Sequence, residues 1–159
     1  AKPRFDAQRE LLGHWLHIRE IFQAQRAALS QSPMHDISER FAHYLGLISG
    51  GRVSSEFPDE NKLAMQIYSN DRLLDYGKLS EGTKETVSLA FRLAALDHLF
   101  PDGGGLAVFD DPFTDMDAER AARSCALIRE FASRHQVIFL TCREEYLGAL
   151  GGNIIYMDS

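Results

Sequence analysis

The sequence predicts an α/β fold, a mostly parallel sheet flanked by helices, with a helical root on its N-terminal side. Three observations predict it. Apolar strand-like runs at 106–109, 137–140 and 154–157 alternate with helical patterns, as strands buried on both faces do. Shorter strand-like runs between 52 and 74 are separated by Pro58-Asp59 and Ser69-Asn70-Asp71, both turn signals. The first fifty residues instead carry apolar positions at helical spacing.

Taken in order, Phe5 to Leu29 has no proline and one glycine, and Leu11, Trp15, Ile18, Phe22 and Leu29 fall at alternating spacings of four and three, interrupted by Gln25. This predicts a long helix, read equally well as a coiled-coil arm or as an amphipathic helix packed on the body. Ser32-Pro33 breaks the pattern, and Ile37, Phe41, Tyr44, Leu45 and Ile48 mark a second helix ending at Gly50-Gly51. Residues 1–50 are thus the expected root and 51–159 the lobe. The lobe opens with a small antiparallel meander, clearest at Leu63 to Tyr68. A helix from Gly82 to about Phe100, a strand Leu106–Phe109, a helix from about Asp117 to Ser133, a strand Val137–Leu140, a short helix and a strand Ile154–Met157 follow.

Composition narrows the function classes. With 17 basic and 23 acidic residues the formal charge is −6, which works against this chain being the main grip on a nucleic-acid backbone. Cys125 and Cys142 lack metal-site spacing, and His14 and His17 have no carboxylate or cysteine partner at ligand spacing, so the histidines are read as surface or boundary residues. No apolar run approaches the roughly 18 residues of a membrane span, and a cytoplasmic, reduced setting is expected. Without an initiator Met or signal peptide, the chain reads as excised from a longer protein.

Two motifs carry chemistry. Gly105-Leu-Ala-Val-Phe-Asp110-Asp111-Pro112 is an apolar strand ending in adjacent carboxylates, and open parallel sheets bind ligands beyond the carboxyl ends of their strands. Neighbouring carboxylates repel, so a cation or a proton-transfer task explains the pair, although Asp also suits a turn cap. Upstream, Leu79-Ser-Glu-Gly-Thr-Lys-Glu85 opens a helix with a hydroxyl and exposed N–H groups at its positive end, which fits an anion site and equally an ordinary N-cap.

In this order and spacing, Leu79 to Leu93 and Gly105 to Asp117 resemble the second half of an ABC-type P-loop ATPase head, closest to the SMC, SbcC, RecN and YhaN group. Leu79-Ser80-Glu81-Gly82-Thr83 is similar to the signature motif, Val108-Phe109-Asp110-Asp111 to Walker B, and Thr114 to Asp117 to the D-loop. Leu47-Ile-Ser-Gly-Gly-Arg52 resembles the segment where a coiled-coil arm re-enters the head. The resemblance implies the C-terminal lobe of such a head, in which Asp110 positions Mg²⁺ and Asp111 takes the catalytic place of the base or water-orienting carboxylate. It further implies that Ser80 and Gly82, with Asp117 of the D-loop, reach ATP held by a partner head, so that two heads sandwich the nucleotide.

Three departures stand out. Asp111 occupies a position where the wider class carries Glu, which implies slow hydrolysis. Glu81 replaces the first signature glycine and brings a carboxylate toward a phosphate unless it turns away. Thr141-Cys142-Arg143 stands where a γ-phosphate-sensing histidine is usual, so either Arg143 substitutes or the switch is missing. The sequence contains no G-x-x-x-x-G-K-[ST] loop; Gly103-Gly104-Gly105 and Gly50-Gly51-Arg52 each precede a strand and lack the lysine. The expected partners are therefore the chain's own N-terminal Walker A lobe and a second head, with DNA and a nuclease subunit reached through the parent. ATP and Mg²⁺ would bind only with that lobe present, and the chain alone would not turn over ATP. The parent's expected role is DNA repair or chromosome maintenance; the alternative is a non-catalytic interaction module derived from such a head.

Overall fold

The computed structural model describes residues 15, 17–21, 35–57 and 65–157. The predicted arm helix Phe5 to Leu29 lies mostly outside the described residues; within them 17–21 are helical, and Trp15, Ile18 and Ile21 are exposed.

Helix α1 covers 35–49 and buries Phe41, Tyr44, Leu45, Ile48 and Ser49, one stripe at three- and four-residue spacing. It stops at Gly50 and Gly51, whose positive φ values of 64° and 77° let the Gly51 N–H turn back to the Gly46 carbonyl at 2.9 Å. The stripe enters the same core as the residues that follow, so this half of the expected root is packed onto the lobe. Arg123 fastens the join by donating Nε–H to the Ile48 carbonyl at 2.9 Å.

The predicted meander is an antiparallel sheet in the order β1 (Val53–Glu56), β2 (Gln66–Ser69) and β3 (Arg72–Leu74). Asn70 and Asp71, at φ 50° and 61°, make the two-residue turn between β2 and β3, as a tight hairpin with both central residues left-handed requires. A 3-10 turn, Tyr76–Lys78, then leads to helix α2, Glu81–Leu99.

Strand β4 (Leu106–Asp110) pairs in parallel with β5 (Gln136–Leu140), and helix α3 (Ala118–Phe131) makes the crossover. One face of this pair, with Ala107, Phe109, Val137 and Phe139, packs on the core. The other exposes Leu106 and Val108 at 53% each and Ile138 and Leu140 at 41% each. Cover on both faces was expected; among the described residues only one face has it. A second correction concerns Ile154–Met157, which is irregular and largely exposed rather than a strand, because none of its backbone groups has a sheet partner among the described residues. The parallel sheet among the described residues therefore has two strands, and the short helix α4 (Leu147–Leu150) precedes the unpaired segment.

At the end of the core away from Asp110 lies a buried ionic cluster. Asp97, 1% exposed near the end of α2, accepts from the Tyr44 hydroxyl, from Arg134 at 3.2 Å and from His135 Nε2 at 2.8 Å. His135 Nδ1 accepts from the Gly105 N–H at 3.2 Å, which assigns the proton to Nε2. His135 is therefore a core residue, 4% exposed and stacked on Phe131 at 4.3 Å, not a surface histidine. Its place follows from a buried carboxylate that needs donors, since an unpaired one would cost several kcal/mol, on the order of 3–5.

Candidate functional site

The two carboxylates at the end of β4 differ in their surroundings. Asp110 projects on the exposed face and has no hydrogen-bond or ion-pair partner among the described residues, as a carboxylate free to meet a cation would be. Asp111 turns out of the strand at φ 38°, a left-handed conformation that costs a residue with a Cβ about 1 kcal/mol. Its environment holds it there. Its N–H donates to the Leu140 carbonyl at 2.9 Å, Oδ1 accepts from the Thr141 hydroxyl at 2.6 Å, and Oδ2 accepts from the Cys142 thiol at 3.4 Å. The Thr141 hydrogen bond, aided by Cys142 and by the nearby Arg143, pulls the Asp111 carboxyl below the usual carboxylate range. So stabilised an anion suits orienting a water better than taking its proton.

Asp110, Asp111, Thr141, Cys142 and Arg143 line one cleft of about 870 Å³, whose far wall is the unpaired 151–157 segment. Arg143 is held from outside the cleft, donating to the Tyr146 hydroxyl at 3.2 Å and to the Thr114 carbonyl at 3.4 Å. Ser80, Gly82 and Asp117 are not among the walls of the cleft.

They gather instead where α2 and α3 begin. Ser80 caps α2, its Oγ accepting from the Thr83 N–H at 3.3 Å. Gly82 is buried against the 111–117 turn so closely that an added Cβ would strike the Asp115 carbonyl oxygen. Glu85 holds the same turn by accepting from the Asp115 N–H at 3.0 Å. Asp117 caps α3, accepting from the Arg120 N–H at 2.8 Å, and this hydrogen bond draws its carboxyl down. Glu81 bears on the departure noted above: Lys84 Nζ sits 2.6 Å from its Oε1, so the carboxylate is turned along the helix and neutralised.

The predicted residues thus form two groups joined by the 111–117 turn, Asp110, Asp111 and Arg143 in the cleft and Ser80, Gly82 and Asp117 on the helix starts. Sequence reading overlooked Thr141, Lys84 and Arg120. Lys84 and Arg120 were within reach, each three residues after the acidic residue it serves. Thr141 had no local signal, because its partner lies thirty residues away.

No protein-family model and no curated protein matches the sequence. Solved structures do. The fold is similar to that of an SMC ATPase studied for ATP-driven dimerisation and DNA-stimulated activation, at 20% identity and TM-score 0.60 over 73% of each chain. It is similar to the Smc head domain with coiled coil and joint from Pyrococcus yayanosii, at 20% identity and TM-score 0.65, covering 84% of this chain and 26% of that one. It is also similar to the SMC head domain from Thermotoga maritima, at 23% identity and TM-score 0.54, covering 72% of this chain and 40% of that one. The chain has the fold of an SMC-type ATPase head over most of its length. It spans only about a quarter to two-fifths of the two longer head chains. No described helix is long and apolar enough to cross a membrane.

Proposed function

We propose that this chain is the C-terminal lobe of an SMC-like or SbcC-like ATPase head, whose parent uses ATP-driven head engagement in DNA repair or chromosome maintenance, beside a nuclease subunit. One observation carries the reading. Among the described residues the apolar face of β4 and β5 is exposed and the apolar 154–157 segment is unpaired, with a cleft lined by that segment and by β5. A lobe that supplies a strand there would cover the face, pair the segment and bring a phosphate-binding loop to the end of β4.

The residues present fit the nucleotide and metal this fold class uses. Mg²⁺ is typically held by one or two carboxylates together with substrate phosphates, and Asp110 is a carboxylate with no competing partner among the described residues. When bound, the metal would supply charge neutralisation at the phosphates. Asp111, held as an anion by Thr141 and Cys142, would orient the attacking water. Ser80 and Gly82, outside that cleft, are disposed to serve nucleotide held by a second head, Asp117 anchoring the turn between the two groups.

The test joins this chain to its phosphate-loop lobe and follows ATP-dependent dimerisation by size exclusion beside phosphate release. Residues 1–159 alone are expected to show no micromolar ATP affinity by calorimetry. In the joined head, Asp111→Asn should trap an ATP-bound dimer with turnover down about a hundredfold. Ser80→Arg should still bind ATP but no longer dimerise. Micromolar binding by the lone chain, or wild-type behaviour of both variants, sinks the proposal and leaves the interaction-module reading.

A further inference from the structure

Ser80 Oγ lies 2.8 Å from Thr83 Oγ1, and geometry alone does not say which hydroxyl donates. The surroundings decide it. Thr83 is 5% exposed, and its Oγ1 already accepts from Nη1 of Arg120 at 3.2 Å. A guanidinium can only donate, so the Thr83 proton must find another acceptor, and among the described residues Ser80 Oγ is the one within hydrogen-bond distance. A proton left unpaired in that buried place would carry a full desolvation penalty, whereas Ser80 is exposed and can send its own proton outward. Ser80 Oγ then accepts twice, from the Thr83 N–H and the Thr83 O–H, and both of its lone pairs are taken.

Arg120 is itself held. Its side chain is 14% exposed, its N–H donates to Asp117 Oδ1 at 2.8 Å, and its Nε stands 3.3 Å from Asp117 Oδ2. The chain of contacts therefore runs from Asp117 through Arg120 and Thr83 to Ser80, and crosses from the start of α3 to the start of α2.

We propose that Arg120 and Thr83 are positioning residues that set Ser80 as an outward hydrogen-bond donor, selecting a partner that only accepts, such as a phosphate oxygen. This rests on the head-lobe reading above and adds to it why a serine at this cap discriminates. A serine free to rotate could accept as well as donate; this one can only donate. Arg120 also places a positive charge behind the cap, which favours an anion in front of it.

The experiment uses the joined head and measures the midpoint of ATP-driven dimerisation by sedimentation, with thermal unfolding of each variant alongside. Thr83→Val keeps the side-chain shape and the backbone N–H but removes the relay hydroxyl, and should weaken dimerisation about tenfold, the scale of one charge-assisted hydrogen bond. Thr83→Ser restores the hydroxyl and should return to within about twofold of the parent. Arg120→Gln should weaken dimerisation several-fold. The pair Ser80→Ala with Thr83→Val should be no worse than Ser80→Ala alone, because the threonine acts only through the serine. Wild-type dimerisation by Thr83→Val, failure of Thr83→Ser to rescue, or full additivity of the pair overturns the relay while leaving the head reading intact. A silent Ser80→Ala overturns both. If Thr83→Val unfolds, Arg120→Gln decides the matter through the same additivity with Ser80→Ala.

Discussion

The Thr141 hydroxyl donates to Oδ1 of Asp111 at 2.6 Å, tying the end of β5 to the carboxylate that leaves β4 in a left-handed turn. Thr141→Val removes the donor without changing the shape, and should cost about 1 kcal/mol at neutral pH, the scale of a partly solvated hydrogen bond to a charged group. The sign follows from a depressed carboxyl. The stabilisation is complete above the unfolded value near 4 and disappears as pH falls through the lower folded value. Urea denaturation of both proteins at pH 7 and at about pH 3 checks it, and the gap should narrow in acid.

Burial, reinforced by the hydrogen bond to Asp97, pushes the Tyr44 hydroxyl up to about 12 from 10.0. The folded state holds that proton more tightly than the unfolded one, so the contribution is complete below about pH 10 and is lost as pH rises toward 12. Thermal melts should show the parent losing more stability across this window than Tyr44→Phe, by on the order of 2 kcal/mol.

For Asp97 itself, burial pushes the carboxyl up, but the hydrogen bonds from Tyr44, Arg134 and His135 outweigh it and hold the group below its ordinary range. Asp97→Ala strands several buried donors and should cost about 3–5 kcal/mol in chemical denaturation. Replacing exposed Glu119, paired with Arg123 at 2.6 Å, by Gln should leave the denaturation midpoint nearly unchanged, because solvent screens a surface pair.

Two Gly→Ala substitutions should move in opposite directions. At Gly82 the new methyl meets the Asp115 backbone, which cannot rotate aside, and roughly 1–3 kcal/mol should be lost. At Gly46, inside α1 with nothing within 4 Å of the added Cβ, about 0.5–1 kcal/mol should be gained. Equal shifts in the denaturation midpoints would contradict the packing described at the start of α2.

Val108 and Ile138 sit opposite each other in register on the exposed face. Val108→Lys together with Ile138→Lys should leave the fold in place, since neither side chain joins the core, while blocking assembly with the phosphate-loop lobe. Circular dichroism reads the first effect and co-purification with the separately expressed lobe reads the second. Retained assembly would place the lobe elsewhere.

The sequence by itself determined the elements with strong local signals. Ser80 ahead of an apolar period, two glycines in the left-handed region after Ile48, the Asn70-Asp71 turn and the apolar strands ending at Asp110 and Leu140 all lie where the pattern puts them, because caps, turns and periodicity act within a few residues. Tertiary structure alone decided the rest. Tyr44 and His135 meet Asp97 from 53 and 38 residues away, and Arg120 reaches Thr83 across 37, pairings set by how helices pack rather than by any spacing along the chain. Ile154–Met157 shows the same division from the other side. Its apolar side chains read as a strand, but a strand exists only when neighbouring backbone groups take up its hydrogen bonds, and no described segment of this chain pairs with it.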